Sequence, residues 1–410
     1  MNAQAETADQ KLRARAPARR VIPGGMFGHM RAEGLPAGYP QFFERGEGCH
    51  VWDVDGRRYV DFMCSWGPNI LGHQHPLVIE AAQRQMATGD CLNGPTERMV
   101  ELAERLVRLV PHADWALFSK NGTDATTTCV TLARAATGRR KILAARGAYH
   151  GAVPWCTPHP LGVTAEDRAH LIEYVYNDAA SLEAAVEAAG GDLAGVIVSA
   201  FRHDYGFDQE LPDAEFARRA RQLCDERGAA LILDDVRAGF RLTLRGSWDL
   251  VGVQPDLSAW SKAIANGYAL AAVTGADHLR AAASRLFVTG SFWCGAVSMA
   301  AAIATLDELE RLDGPRLMGE LGQRFRQGVA AQAAEAGIGV RQSGPPQMPT
   351  ILFDDDPDFA RGERFSLETL KRGVYLHPRH NMFLSTAHTA ADIDFALEAT
   401  RGAFAALAGA

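Results

Sequence analysis

The sequence predicts an α/β fold: a large, mostly parallel sheet covered on both faces by helices, with a smaller α+β unit drawn from both ends of the chain. Three observations carry this. Short apolar runs alternate with helical apolar spacing over residues 116–233, the pattern of parallel strands joined by helices. Residues 194–200 are almost continuously apolar, as in a strand buried on both faces. Beyond Gly337 the segments shorten and end in a helical stretch over 391–407, which reads as a separate unit joined by the N-terminal hairpin.

The elements follow in order. Residues 1–20 mix Arg and Lys with Glu and Asp and lack the apolar core of a signal peptide, so a flexible tail is expected there. Residues 49–62 read as a hairpin turning at Asp55-Gly56. Residues 76–86 and 97–110 have helical spacing. A short strand at 116–118 leads through the turn Asn121-Gly-Thr123 into a helix over 124–137, ended by Gly138. Strand 141–145, helix 182–189, strand 194–200, helix 213–228 and strand 229–233 come next. Residues 268–273 form a further apolar stretch, and 298–312 an amphipathic helix without assigned chemistry. The expected division is 21–65 as the N-terminal part of the small domain, 66–312 as the large domain, and 313–410 as the C-terminal small domain.

The chain has 410 residues, 47% hydrophobic and 22% charged, which suits a globular protein with a sizeable core. A net charge of −7, without a like-charge block, argues against nucleic acid as a partner. No apolar run reaches the length of about 18 residues that a membrane helix needs. The seven cysteines have no CxxC or other zinc spacing, which points to reduced thiols in the cytosol. His73 and His75, in Gly72-His-Gln-His-Pro76, lack a third ligand at zinc spacing. A helix-entry turn is expected there, and no metal.

The chemistry concentrates in two residues. Leu231-Ile-Leu-Asp234 reads as a buried strand ending in a carboxylate, and Lys262 lies among small and apolar residues just before another apolar stretch. A desolvated lysine has a lowered pKa and condenses with aldehydes, while a carboxylate at a strand end can keep a pyridinium nitrogen protonated. Together they suit pyridoxal 5'-phosphate (PLP). Separately, an acidic pair such as Asp234-Asp235 also suits a helix cap or a metal ligand, and a lone lysine also suits a snorkelling surface position. Asn121-Gly122-Thr123, between a strand and a helix, offers backbone N–H groups and a hydroxyl to a phosphate, or is a plain N-cap turn. Tyr149, in Tyr149-His-Gly151 after the strand 141–145, can stack on a planar ring or pack in the core.

Taken in order, these segments resemble the class III aminotransferases of the fold-type I PLP enzymes, most closely the branch with glutamate-1-semialdehyde aminomutase. The matching segments run from Pro23 to His388: Pro23-Gly-Gly25, Trp52-Asp-Val-Asp-Gly56, Ser65-Trp-Gly-Pro68, Gly72-His-Gln-His-Pro76, Gly94-Pro-Thr-Glu97, Asn121-Gly-Thr-Asp-Ala125, Tyr149-His-Gly151, Asp234-Asp-Val236 with Gly239-Phe-Arg241, Ser261-Lys-Ala263 and Ser385-Thr-Ala-His388. The resemblance implies PLP as cofactor, with Lys262 as the Schiff-base lysine and proton shuttle and Asp234 as the pyridine-nitrogen carboxylate. It implies Tyr149 against the ring, with His150 beside it, and Asn121, Gly122 and Thr123 around the phosphate. Ser291 falls where the family has a threonine that reaches the phosphate of a neighbouring subunit, which implies a homodimer with shared active sites. Arg31 falls where the aminomutase branch has a carboxylate-binding arginine, with a solvent-facing arginine as the alternative. Trp66, Arg202 and Arg379 are the other substrate-binding candidates.

The sequence also departs from the family. Arg237 stands three residues after Asp234, where many class III enzymes have a glutamine near the ring hydroxyl. It either meets the phenolate or is neutralised by Asp124, Asp204 or Asp235. Ser199-Ala200, followed by Phe201-Arg-His-Asp-Tyr205, replaces the usual Glu-Pro segment, and Trp293-Cys294 replaces small residues. The expected function is a cytosolic aminotransferase acting between an amine or amino acid and a 2-oxo acid or aldehyde. An aminomutase, another PLP outcome such as racemisation or decarboxylation, and a scaffold without turnover are the alternatives. No G-x-G-x-x-G follows the early strands, so a dinucleotide enzyme fits poorly.

Overall fold

The structure, a computed structural model, describes residues 7–15, 22–31 and 34–409. In chain order the regular elements begin with helix α1 (Ala8–Arg15) and strands β1 (Phe43–Glu47), β2 (His50–Asp53) and β3 (Arg58–Asp61). Helices α2 (Pro76–Met86) and α3 (Glu97–Leu109) lead to β4 (Trp115–Ser119), α4 (Gly122–Thr137), β5 (Lys141–Ala145), α5 (Ala165–Arg168), β6 (Leu171–Tyr174) and α6 (Ala179–Ala189). Then come β7 (Leu193–Ser199), α7 (Ala214–Arg227), β8 (Ala230–Asp234), β9 (Leu257–Trp260), β10 (Ala271–Gly275), α8 (Arg280–Ala283) and α9 (Ala296–Leu312). The chain ends with α10 (Gly314–Glu335), β11 (Val340–Ser343), β12 (Thr350–Phe353), α11 (Ala360–Lys371), β13 (Val374–Tyr375) and α12 (Ala390–Ala408). These elements fall into two compact units, the larger comprising residues 67–71 and 76–319.

The larger unit is built on a seven-stranded sheet of order β4-β10-β9-β8-β7-β5-β6. Neighbours from β9 through β8, β7 and β5 to β6 are parallel. The exception is β10, which runs antiparallel to both β9 and β4. Both faces of the sheet are covered. Leu143, Val196, Val198, Leu231 and Leu233 pack in one core with residues of α6 and α7, while Ile142, Ile197 and Ile232 pack in another with α4. Alternate residues of the same strands thus enter opposite cores, as the two-residue period of a strand requires. This matches the mostly parallel, doubly covered sheet expected.

Local signals set the helix ends. Asn121 caps α4 by accepting the Asp124 N–H, and Gly138 closes it in the left-handed region at φ 68°. The cap moves the start of α4 to Gly122, two residues ahead of the expected 124. Asp213 and Gly228 bound α7 in the same way.

The smaller unit contains a sheet of order β1-β2-β3-β13, in which β13 runs parallel to β3 with Val374 opposite Val60. Segments from the two ends of the chain therefore share one sheet. A second sheet pairs β11 with β12. Tyr39, Tyr59, Met63, Leu370 and Tyr375 form a core here.

Two features go beyond the sequence expectations. The 22-residue helix α10 buries Met318, Leu321, Phe325, Val329 and Ala333, a helical spacing present in the sequence. Within residues 1–20, expected as a flexible tail, α1 is ordered as a helix. Asp9, only 6% exposed, accepts the N–H groups of Gln41 at 2.9 Å and Phe42 at 3.0 Å and pairs with Arg13. The rest of that tail, apart from Thr7, lies outside the described residues.

Candidate active site

In an open α/β sheet, ligands bind beyond the carboxyl ends of the parallel strands. Here β4, β5, β7, β8 and β9 all end at one edge, with Ser199 opposite Asp234 and Asp234 opposite Ala259. Because β10 is inverted, its starting end lies at this edge too, with Ala271 opposite Ser119. A cavity of about 380 Å³ opens there, lined by Asn121, Gly122 and Thr123, by Tyr149 and His150, by Asp234 and Arg237, and by Lys262.

Asp234, the last residue of β8, is 8% exposed. His150 Nδ1 lies 2.7 Å from its Oδ2, and the Val236 N–H donates to its Oδ1 at 3.1 Å. A carboxylate only accepts, so Nδ1 carries the imidazole proton in this pair. The other ring nitrogen, Nε2, is buried without a partner. The His150 carbonyl takes a 2.6 Å hydrogen bond from Thr126 Oγ1, and its ring stacks on Trp155. These contacts tie the loop after β5 to helix α4 and fix the carboxylate.

Lys262 stands in the segment between β9 and β10 with φ 45°, an uncommon conformation for a residue with a side chain. The segment is stitched across its neck by Ser261 Oγ, which donates to the Leu270 carbonyl at 2.9 Å. Burial above all, then the cations Arg237 and Arg241, pull the Lys262 ammonium down to about 7, with Asp234 opposing. A good share of Lys262 is therefore neutral near pH 7.

The start of α4 forms the opposite wall. A Cβ on Gly122 would stand 2.6 Å from Val236 Cγ1, and one on Gly151 would stand 2.6 Å from Thr123 Oγ1. Glycine at both positions lets the backbone of three segments converge. Thr123 Oγ1 accepts the Ala152 N–H at 3.3 Å.

Arg237 is half-buried, with Nη1 donating to the His203 carbonyl at 3.3 Å. Burial pulls its pKa down to about 10, against Asp234, Tyr149 and Asp204. Of the three acids weighed as its neutralising partner, Asp124 binds Asn121 and the Lys120 N–H, and Asp235 accepts from the Ser247 N–H and hydroxyl. Among the acids acting on Arg237, Asp234 comes ahead of Asp204.

The aminotransferase class-III family matches residues 36–392 of the sequence. The chain is a class III aminotransferase. The enzyme is 51% identical to the aminopentol aminotransferase of Sphingopyxis macrogoltabida, over 98% of this chain and 94% of that one. It is 35% identical to the glutamate-1-semialdehyde 2,1-aminomutase of Polaromonas naphthalenivorans (strain CJ2), over 95% of each chain. The PLP internal aldimine form of the FumI protein from Sphingopyxis sp. MTA144 shares its fold at a TM-score of 0.96 and 51% identity, covering 97% of this chain and 96% of that one. The enzyme thus has the fold-type I architecture, uses PLP and transfers an amino group between an amine and a carbonyl compound.

The pocket fits PLP on its donor set. It combines a carboxylate for a pyridinium N–H, a partly neutral lysine for an aldehyde, a helix N-terminus with a hydroxyl for a phosphate, and a tyrosine for a ring face. Glycines keep the phosphate end narrow.

Arg202 is engaged by Asp204 at 2.9 Å and Glu210 at 2.7 Å. Arg379, in the smaller unit, pairs with Glu363 and stacks over Phe359. Trp66, in the same unit, meets the rings of His29, His377 and His380 edge-on. Arg31 is exposed after the turn Gly28–Met30, and Ser291 is exposed in the larger unit. His73 binds Asp61 at 2.9 Å. Cys49, His50 and Asp392 come within metal-ligand range of one another, but burial and Asp392 hold the Cys49 thiol protonated.

His203 and residues 267–270, in segments the sequence had marked, also line the cavity, as does Lys120, which went unnoticed there. The signal for Lys120 was position, since it follows the end of β4 and precedes Asn121. Lys120 Nζ donates to the Ala269 carbonyl at 3.2 Å, bracing the wall where β4 meets the start of β10. No helix among the described residues is long and apolar enough to cross a membrane.

Proposed function

We propose that Lys262 is the residue that carries PLP and moves the proton, and that Asp234 holds the proton on the pyridine nitrogen. The observation that carries this reading is the convergence of Lys262, the Asp234–His150 pair and the Gly122–Thr123 helix start on one cavity. When bound, PLP supplies an aldehyde for a primary amine and an electron sink for the electrons left when the donor's C–H proton departs. Lys262 Nζ, partly neutral near pH 7, accepts that proton and returns it. His150 keeps Asp234 oriented. The N–H groups of Gly122 and Thr123, the Thr123 hydroxyl and Asn121 hold the phosphate, and Tyr149 covers a ring face. Arg237, on the cavity wall three residues after Asp234, would meet the ring oxygen.

The donor is an amine of the aminopentol kind, and the acceptor a 2-oxo acid or aldehyde. The identity to the aminopentol enzyme supports this, as does the commitment of Arg202 to two carboxylates, which leaves it poorly disposed to grip a donor carboxylate. The enzyme works as a cytosolic homodimer. Exposed Phe287 (93%) and Phe292 (67%), on the segment that carries Ser291, support burial of that segment by a second copy. The absence of disulfides among the described cysteines supports a reducing compartment.

The test is the absorbance of the purified enzyme with PLP. A visible band, lost in Lys262→Ala and converted to a near-ultraviolet band by an aminopentol but not by common 2-amino acids, is the expected result. No visible band after incubation with PLP would overturn the assignment of Lys262. Conversion by 2-amino acids alone would overturn the donor class.

A further inference from the structure

We propose that Arg241 and Asn266 are positioning residues that hold residues 67–71, and with them Pro68, as the donor-side wall of the cavity in register with Lys262. The inference rests on the reading of Lys262 as the PLP lysine.

Residues 67–71 belong to neither a helix nor a strand, yet Gly67, Asn69, Ile70 and Leu71 are buried. Pro68, between them, lines the cavity. The chain arrives there under strain. Cys64, Ser65 and Trp66 have φ of 46°, 56° and 65°, and Gly67 follows at 107°. Consecutive side-chain residues in the left-handed region persist only where the surroundings fix them. Inside the segment, the Ile70 N–H donates to the Pro68 carbonyl at 2.8 Å. A buried loop must find partners for its other backbone groups outside itself, and the Gly67 carbonyl and the Leu71 N–H find theirs in two side chains.

Arg241 is the first anchor. It is fully buried, its Nη2 donates to the Gly67 carbonyl at 2.6 Å, and its Nη1 lies 3.8 Å from Met318 Sδ. Phe240 before it, at φ 62°, stacks on Trp260 with ring centroids 4.6 Å apart. Trp260 ends β9, two residues before Lys262, and its Nε1 donates to Thr274 Oγ1 at 2.8 Å. Asn266 is the second anchor, four residues after Lys262, and its Oδ1 accepts the Leu71 N–H at 2.8 Å. Gly267 after it lies so close to Asn69 that a Cβ would stand 2.6 Å from Asn69 Oδ1. The two ends of 67–71 are therefore referred to the chain on either side of Lys262. With the phosphate at the start of α4 and the pyridine nitrogen at Asp234, Pro68 is carried against the segment beyond Lys262 and borders the room left for the donor. Misplacing a reactant by about 1 Å can cost about a hundredfold in rate, so a wall clamped at both ends matters to the reaction.

The test pairs deuterium exchange of the holoenzyme amides with conversion of its visible band by an aminopentol and by benzylamine, a plain primary amine. Arg241→Met removes the first anchor. Asn266→Gly removes the second without deleting a charge, at a position whose φ of 44° suits glycine. Each is expected to speed exchange in residues 69–71 about tenfold and to slow band conversion at low donor about tenfold. The band before donor is added should keep its position and intensity. Arg241→Lys retains a cationic donor for the Gly67 carbonyl and is expected to recover most of both effects. Should Arg241→Met not fold, Asn266→Gly carries the test alone. Unchanged exchange at 69–71, or faster exchange with unchanged conversion, would overturn the inference. Loss of the band itself in Asn266→Gly would also overturn it, since the anchor would then serve the cofactor and not the donor. Wild-type enzyme without a visible band would instead overturn the assignment of Lys262, and a band that neither amine converts would overturn the donor class. In both of those cases exchange at 69–71 still decides whether the anchors hold the segment, so the failures are distinct.

Discussion

Gly122→Ala isolates the contribution of the narrow wall at the start of α4. Gly122 has an ordinary helical backbone, so alanine there meets no φ penalty and brings a helix-propensity gain of no more than about 1 kcal/mol. Against this stands the contact. The new methyl would lie 2.6 Å from Val236 Cγ1, 3.0 Å from Cγ2 and 3.4 Å from Cβ. These are well inside the carbon–carbon optimum of about 3.5–4.0 Å, and valine is stiff at χ1, so it cannot rotate away. Overpacking of this kind costs about 1–3 kcal/mol. The steric term wins, leaving a net loss of about 1–2 kcal/mol, a factor of about 5–30 in an equilibrium constant. The loss is expected in PLP affinity, measured by absorbance titration of the cofactor-free enzyme, and in its unfolding midpoint. In a Val236→Ala background the same substitution is expected to cost almost nothing, since the clashing methyls are gone. Unchanged affinity and unchanged unfolding in Gly122→Ala would refute the reasoning. So would an equal loss in the Val236→Ala background.

Three further outcomes follow from the structure. With Lys262 at about 7, uptake of PLP by the cofactor-free enzyme should slow about tenfold for each pH unit below 7 and level off above about 8, whereas a limb near pH 10 would mean an ordinary exposed lysine. His112, His377 and His388 are buried, and burial pulls each down to about 4. The unfolded chain binds protons at these sites below about 6.5, so their contribution is intact above that pH and is lost as pH falls toward 4. Urea unfolding should therefore show falling stability from pH 7 to pH 5, and a flat profile would contradict their neutral burial. Asp9→Ala removes an acceptor shared by two backbone N–H groups, so proteolysis within α1 should accelerate by the equivalent of about 1–3 kcal/mol. Unchanged cleavage, followed by mass spectrometry, would mean that α1 is held by other contacts.

What the sequence made legible was whatever depends on local pattern. The apolar run at β7, the Asn121 cap, the Gly138 stop and the strand-end carboxylate Asp234 can all be read from spacing and residue type. The inversion of β10 cannot, because an apolar strand carries no mark of its direction and residues 271–275 would suit either one. The partner of a long cation is equally hidden. Arg202 meets Asp204 and Glu210 only because the backbone doubles back near Gly206, and Arg379 meets Glu363 across a gap that no periodicity spans. Arg237 stood out as a departure, but its bond to the His203 carbonyl needed three dimensions. Helix α10 is the opposite case, since Met318, Leu321, Phe325 and Val329 carry its period openly.

The inversion of β10 also fixes where the chain can change length. Parallel neighbours need a crossover of about a dozen residues or more, and such crossovers tolerate insertion. The antiparallel step from β9 to β10 replaces a crossover with residues 261–270, anchored in the middle of the sheet at both ends. Asn266 accepts the Leu71 N–H, and Gly267 lies against Asn69 where any Cβ would clash at 2.6 Å. One residue added here would shift Lys262 against every other wall of the cavity. The segment around Leu161, which is 99% exposed, has no such constraint. Variation in substrate range is thus expected to accumulate in the crossovers, and libraries for altering it belong there, while residues 261–270 should be kept at their present length.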